Sequence, residues 1–135
     1  MLIDAGPLIS LTDGRDPAHS FCKATLSKIR PPLITTWPAI TEAMHLVGRR
    51  GGWHAQQRLW QLIEAETITI ADVPKSEIKG LTSLMKRYRD APMDLADATL
   101  VAVAEQTNDT QIFTLDEHFH IYRLSRTRRF TVFPA

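Results

Sequence analysis

Asp94-Leu95-Ala96-Asp97-Ala98-Thr99-Leu100-Val101-Ala102-Val103-Ala104-Glu105, followed after a polar turn by Gln111-Ile112-Phe113-Thr114-Leu115, reads as a helix and then a strand. The helix is apolar on nearly every face, so it is expected to be buried all round. The same alternation recurs on its N-terminal side. Leu2-Ile3 opens the chain as a short strand ending at Asp4. A short helix is expected from Pro7, since proline is tolerated in a first helical turn. Pro17 to Ile29 reads as a second helix, and Leu33-Ile34-Thr35, bounded by prolines, as a second strand. Pro38 starts a helix with Ile40, Ala43, Met44 and Val47 at i, i+3, i+4 and i+7. Gly51-Gly52 ends it, and a further helix carries Leu59, Leu62 and Ile63. Thr67-Ile68-Thr69-Ile70 is a third strand, Lys75 to Arg89 a helix, and Thr131-Val132-Phe133 a fifth strand after Gln111 to Leu115. Strands joined through long helical connections imply an α/β fold. The expectation is a single domain over residues 1–135, a mainly parallel twisted sheet of four to five strands with helices on both faces.

Composition narrows the class. Of 135 residues, 44% are hydrophobic and 23% charged, the values of an ordinary globular chain. No stretch approaches the roughly 18 uncharged apolar residues that a membrane span needs. Met1-Leu2-Ile3-Asp4 carries no basic leader, and the one cysteine, Cys22, cannot close an internal disulfide. A cytoplasmic protein with no membrane partner is expected, and cysteine-ligated zinc has no support. Sixteen basic and fifteen acidic residues leave a formal charge of +1, which excludes a protein acting as one large basic surface. Charge is nevertheless local. Residues 121–135 hold Arg123, Arg126, Arg128 and Arg129 and no acid; Arg49-Arg50 and Lys86, Arg87 and Arg89 form further clusters. These are either solvated faces or a rim that contacts phosphate, and composition does not choose between the two.

The acids are better placed. In an open parallel sheet, ligands sit beyond the carboxyl ends of the strands. Asp4 and Asp116 lie just past the carboxyl ends of the first and fourth strands. Glu42, early in the helix after the second strand, is about 200° round that helix from Ile40 and so does not point into the core. Asp97, in the first turn of the buried helix, has Val101 and Ala104 as its i+4 and i+7 neighbours. A carboxylate on such a face costs stability unless something pairs with it. Each acid has an individual structural explanation as a turn former or cap; Asp94 with Asp97 three residues on has the form of a capping box. No capping rule explains why four of them share one edge. Like charges brought together resist ionisation, and a hard divalent cation bound by oxygen ligands removes the conflict.

These residues resemble the acidic motifs of the PIN domain, specifically of VapC-like toxin ribonucleases from toxin–antitoxin pairs. Leu2-Ile3-Asp4-Ala5-Gly6-Pro7-Leu8-Ile9 is similar to the first motif and Thr41-Glu42 to the second. Asp97-Ala98-Thr99-Leu100-Val101-Ala102-Val103-Ala104 is similar to the third, and Phe113-Thr114-Leu115-Asp116-Glu117-His118-Phe119 to the fourth. The resemblance implies a single PIN-like domain with magnesium- or manganese-dependent endoribonuclease activity. Asp4, Glu42, Asp97 and Asp116 would be the catalytic quartet, with Asp4, Asp97 and Asp116 on the metal. Thr114 would orient a ligand, a water or a phosphate. Asp94 would serve as a cap or as a ligand to a second metal. The resemblance also implies an RNA substrate, a small antitoxin partner and a homodimer.

Other chemistries find less support. Glu42 with His45 and Glu117 with His120 have the spacing of di-iron carboxylate pairs, but the four-long-helix pattern of such bundles is missing. His118 and His120 could bind metal but read rather as loop histidines. There is no glycine-rich phosphate loop, and Gly6, not a second aspartate, stands two residues after Asp4. Trp37, Trp53 and Trp60 could stack on bases; Trp60, between Leu59 and Leu62, reads as core and Trp53 as the better candidate for an exposed ring. The alternative from another class is a non-catalytic PIN-like module that binds RNA or protein.

Overall fold

The structure is a computed structural model that describes residues 1–134, the side chain of Arg126 excepted. β1 (Leu2–Ile3), β2 (Leu33–Thr36), β3 (Ile68–Ala71), β4 (Gln111–Phe113) and β5 (Thr131–Phe133) form one sheet in the order β3-β2-β1-β4-β5. Every pairing is parallel. This is the expected α/β architecture, with the fifth strand present.

Alternation along the short strands divides the interior in two, because successive side chains leave opposite faces of a sheet. Leu2 is level with Ile34 and Ile112, and Ile3 with Phe113. Leu2 and Ile112 pack with Leu100, Val101, Val103 and Ala104 of α5 (Leu95–Thr107) and with Phe119, Tyr122 and Phe130. Ile3 and Phe113 pack on the other face with Leu8 and Ile9 of α1 (Ala5–Thr12), Cys22 of α2 (His19–Leu26), and Ile40, Ala43 and Val47 of α3 (Trp37–Glu64). α5 is buried at nine consecutive residues, Ala96 to Ala104, so it has no solvent face over that run. Fully burying a leucine or valine contributes roughly 1.5–3 kcal/mol, which makes α5 the main anchor of its side of the sheet.

Several boundaries differ from the sequence expectation. α1 begins at Ala5, not at Pro7, because the Asp4 carboxylate caps it. α2 is shorter than Pro17 to Ile29. A 3-10 turn at Lys75–Glu77 precedes α4 (Ile78–Arg87). β4 stops at Phe113, two residues early, although the Thr114 N–H still bonds the Phe133 carbonyl of β5 at 3.0 Å. The helical run of α3 is interrupted at Gly52, whose φ of 63° and ψ of −157° lie in a region open essentially to glycine alone. Two helices therefore meet where the Gly51-Gly52 pair predicts a break.

The strand order sets the crevice. From β1 the chain moves outward on one side through β2 and β3, then returns to place β4 on the other side of β1. The order reverses between β1 and β4, and at such a switch point the loops leave in opposite directions and open a cleft at the carboxyl ends.

Candidate active site

Each acid is delivered to that cleft by the end of an element. Asp4 follows β1 and caps α1: its Oδ1 accepts the Ala5 N–H at 2.7 Å and its Oδ2 the Thr114 hydroxyl at 2.9 Å. Asp97 is the third residue of α5. Asp94 Oδ1 accepts the Asp97 N–H at 2.8 Å, and Asp97 Oδ2 takes the long reciprocal bond from the Asp94 N–H at 3.4 Å. The capping box is thus formed. The same Asp97 oxygen accepts the Tyr122 hydroxyl at 3.0 Å. Asp116 caps a 3-10 turn at Glu117–His120; its Oδ1 accepts the His118 N–H at 2.9 Å and lies 2.8 Å from His118 Nδ1. The Asp116 N–H donates in turn to Thr114 Oγ1 at 3.0 Å, so one hydroxyl links the loops after β1 and β4.

Asp4, Asp97 and Asp116 can each present a carboxylate oxygen such that the three lie within 4.8 Å of one another. Asp4 and Asp97 are both only 7% exposed, too little for water to screen their charge. A pocket of about 260 Å³ opens over them, lined by Asp4, Glu42, Asp94, Asp97 and Asp116 together with Ala5, Gly6 and Leu115. Glu42 is exposed, on the early part of α3, and lines the wall without joining the close trio.

The electrostatics follow. Burial, then the charges of Asp94 and Asp4, push the Asp97 carboxyl up to about 7. Burial also raises Asp4, against the lowering effect of its bonds from Thr114 and Ala5. Glu42, exposed overall, is raised by partial loss of water on the side that faces the pocket and by the charges of Asp94, Asp4 and Asp116. Burial and the neighbouring Asp97 charge raise the Tyr122 phenol, which therefore stays a donor. No basic side chain forms an ion pair with Asp4, Asp97 or Glu42 among the described residues; His118 alone faces Asp116. A donor set of three converging carboxylates, uncompensated by protein cations, fits a hard divalent ion bound through oxygen.

No arginine lines the pocket among the described side chains. Arg123 donates to the carbonyls of His120, Ile121 and Tyr122 and so clamps its own loop. Arg128 donates to Asn108 Oδ1 at the far end of α5, about 16 Å along the helix axis from Asp97 at 1.5 Å per residue. Arg129 is exposed, and the Arg126 side chain lies outside the described residues. Glu42 with His45 and Glu117 with His120 do not face one another on paired helices. Trp37 and Trp53 are exposed, and Trp60 is half-buried.

Two residues of the site escape a reading of sequence. Tyr122 reaches Asp97 across 25 positions, through a turn that no local pattern announces. His118 could have been found, because an aspartate at a turn commonly binds the backbone two residues on, which fixes the side chain there beside it.

Comparison with known proteins agrees with this geometry. Residues 1–124 match the family model described as PIN domain. The chain is 27% identical over 135 residues to ribonuclease VapC26 of Mycobacterium tuberculosis (strain ATCC 25618 / H37Rv), covering 99% of this chain and 100% of that protein. It is similar in structure to Mycobacterium tuberculosis VapC20, whose crystal structure is described as that of a sarcin-ricin loop cleaving toxin. The TM-score is 0.78 and the identity 17%, over 85% of this chain and 88% of the other. At that identity the structural likeness speaks to fold. The family model runs from the first strand to beyond Tyr122, and the chain belongs to the PIN domain family.

Proposed function

We propose that this protein is a toxin-type endoribonuclease that hydrolyses RNA phosphodiester bonds with Mg2+ or Mn2+. The observation that carries the reading is the meeting of Asp4, Asp97 and Asp116 within 4.8 Å at the switch point of the sheet. The curated relative named as a ribonuclease, aligned along nearly the whole chain, supports it. Asp4, Asp97 and Asp116 would hold the ion. Bound there, it would supply positive charge to a phosphoryl oxygen and acidify a coordinated water.

The protein's own groups do the positioning. Ala5 N–H and the Thr114 hydroxyl fix both oxygens of Asp4. Tyr122 and the Asp94 N–H hold one oxygen of Asp97 and leave the other for the pocket. His118 steadies Asp116. Glu42, on the pocket wall and with its carboxyl raised by lost hydration and by Asp94, is placed to accept a proton from the attacking water. Asp94 caps α5, and as part of the pocket wall it would be the residue nearest to hand for a second ion. A purely RNA-binding module has no use for an acidic pocket that repels phosphate, which argues against the non-catalytic alternative. A small antitoxin partner and a homodimer belong to the same proposal. No helix among the described residues is long and apolar enough to cross a membrane.

The test is cleavage of a defined RNA panel with magnesium, manganese or chelator, beside Asp97→Asn. Cutting is expected with either metal and not with chelator, and the variant is expected to be inert. If folded Asp97→Asn cuts as well as the wild type, the proposal is wrong.

A further inference from the structure

The acidic pocket does not end at the carboxylates. Glu42 and Asp94 also line an adjoining open groove of about 520 Å³ whose other walls are Trp37, Pro38, Thr41, Leu95 and Ala96. Trp37 is 51% exposed and Leu95 is 49% exposed, so two large apolar side chains stand in solvent directly beside a site lined by acids. Trp37 takes part in no ring–ring contact among the described residues.

Its mounting is rigid. Trp37 is the first residue of α3, followed by Pro38, whose ring fixes the local backbone. The Thr41 hydroxyl donates back to the Trp37 carbonyl at 2.9 Å. One residue earlier, the Thr36 hydroxyl shares a buried 2.7 Å bond with Thr99 of α5. That bond ties the start of the tryptophan's helix to the helix that carries Leu95 and Asp97, so ring and acids are held at a fixed separation. From Trp37 to Glu42 is five residues of helix, about 7.5 Å of axial rise. A phosphate brought to the acid-lined pocket by a divalent ion and the base of a neighbouring nucleotide can therefore be served by the two places together.

We propose that Trp37, backed by Leu95, is a base-stacking platform for a nucleotide flanking the scissile phosphate of a single-stranded RNA. This rests on the endoribonuclease reading and adds to it the form of the substrate. A duplex keeps its bases stacked on one another and has none to offer the ring, whereas a single strand or loop does. Stacking on an aromatic face tolerates any base, so the platform selects for an unpaired strand rather than for a sequence.

The test measures binding of a short single-stranded RNA, with calcium replacing magnesium to withhold cleavage. Wild type is compared with Trp37→Ala, Trp37→Phe and Trp37→Leu, each against intact RNA and against a set of RNAs carrying one abasic nucleotide. Trp37→Ala is expected to weaken intact RNA by roughly tenfold, the usual loss for one stacked base. Trp37→Phe is expected to retain most of the affinity. One abasic position should weaken the wild type by a similar factor and leave Trp37→Ala unchanged. Trp37→Leu binding like the wild type would overturn the proposal, since leucine keeps apolar contact but no stacking face. Equal losses in wild type and Trp37→Ala at every abasic position would overturn it too. So would unchanged RNA affinity together with a shift in sedimentation, which would give this face to a second copy of the chain. Wild type that binds RNA with this pattern but never cuts with magnesium would sink the endoribonuclease reading and leave the platform standing. Cutting without the pattern would do the reverse.

Discussion

Replacing Asp97 with asparagine should make the metal-free protein more stable, by an amount that depends on pH in a defined way. Asp97 is 7% exposed, and its carboxyl is raised from 3.8 to about 7. A raised acid is bound to its proton more tightly in the folded state. The fold is therefore unpenalised below the unfolded pKa near 3.9, loses stability as pH climbs towards 7, and stays penalised above it. A tenfold change in proton affinity corresponds to about 1.4 kcal/mol, so the rise from 3.8 to about 7 sets an upper limit of about 4 kcal/mol. Sharing of the repulsion with Asp94 and Asp4 brings the expected gain to about 2–3 kcal/mol at pH 8. The amide loses little in exchange. Both bonds to Asp97, from Tyr122 and from the Asp94 N–H, end on one oxygen, which asparagine retains. The assay is urea denaturation of both proteins from pH 4 to pH 8 in chelator, read as the difference between them. That difference cancels the acids both share, including Asp13 and Asp16, whose lowered pKa values act in the opposite sense. It should be near zero at pH 4 and reach its plateau above pH 7. Magnesium should then narrow the difference, because an ion at about 100 times the wild-type Kd adds roughly 2.7 kcal/mol to the wild type and less to a variant that binds it at least about tenfold more weakly. A variant less stable than wild type at pH 8 in chelator would refute the claim that uncompensated charge is stored at this position.

Other outcomes follow from the same contacts. Tyr122→Phe keeps the ring packed against Tyr88 and Phe119 but removes the phenol, a bond that lowers the Asp97 pKa. The rising limb of the cleavage pH profile should move to higher pH, and denaturation should show a loss of about 1 kcal/mol. Thr114→Val strips a donor from Asp4 and an acceptor from the Asp116 N–H in a position only 3% exposed; a loss of about 1–3 kcal/mol in urea and a marked drop in metal affinity are expected. Gly52→Ala meets no atom within 4 Å, so its cost is backbone strain alone, roughly 1–3 kcal/mol, with the cleavage site unaffected. At sub-saturating metal, cleavage by the wild type should rise with pH towards about 7, because Asp97 must lose its proton before it can hold a cation, and the rise should move to lower pH as metal is added.

The sheet was readable because β-branched runs and long helical connections leave few topologies, and the position of Asp4 and Asp116 after their strands needed no side-chain detail. The burial of α5 followed from the absence of any polar face between Ala96 and Ala104. What stayed hidden depends on where a side chain turns once the backbone is built. Thr114 has a strand former's chemistry, yet its hydroxyl serves the site by donating to Asp4. Tyr122 reads as one more aromatic until the turn after Asp116 swings its hydroxyl onto Asp97. Arg123 and Arg128 count as basic residues in the sequence, but backbone carbonyls and Asn108 occupy their guanidinium groups, a use that charge counting does not register. The α1 start shifted for a related reason: Pro7 permits a helix, while Asp4 begins it.

The central claim is that three inward-facing carboxylates coexist by sharing a divalent ion. Titration with Mn2+, following the free ion by electron paramagnetic resonance at pH 8, tests it without relying on any RNA. Wild type should take up the ion, and Asp4→Asn and Asp97→Asn should each lose at least about tenfold in affinity, a loss typical even of an outer-shell partner. Uptake by both folded variants equal to that of the wild type would contradict the claim.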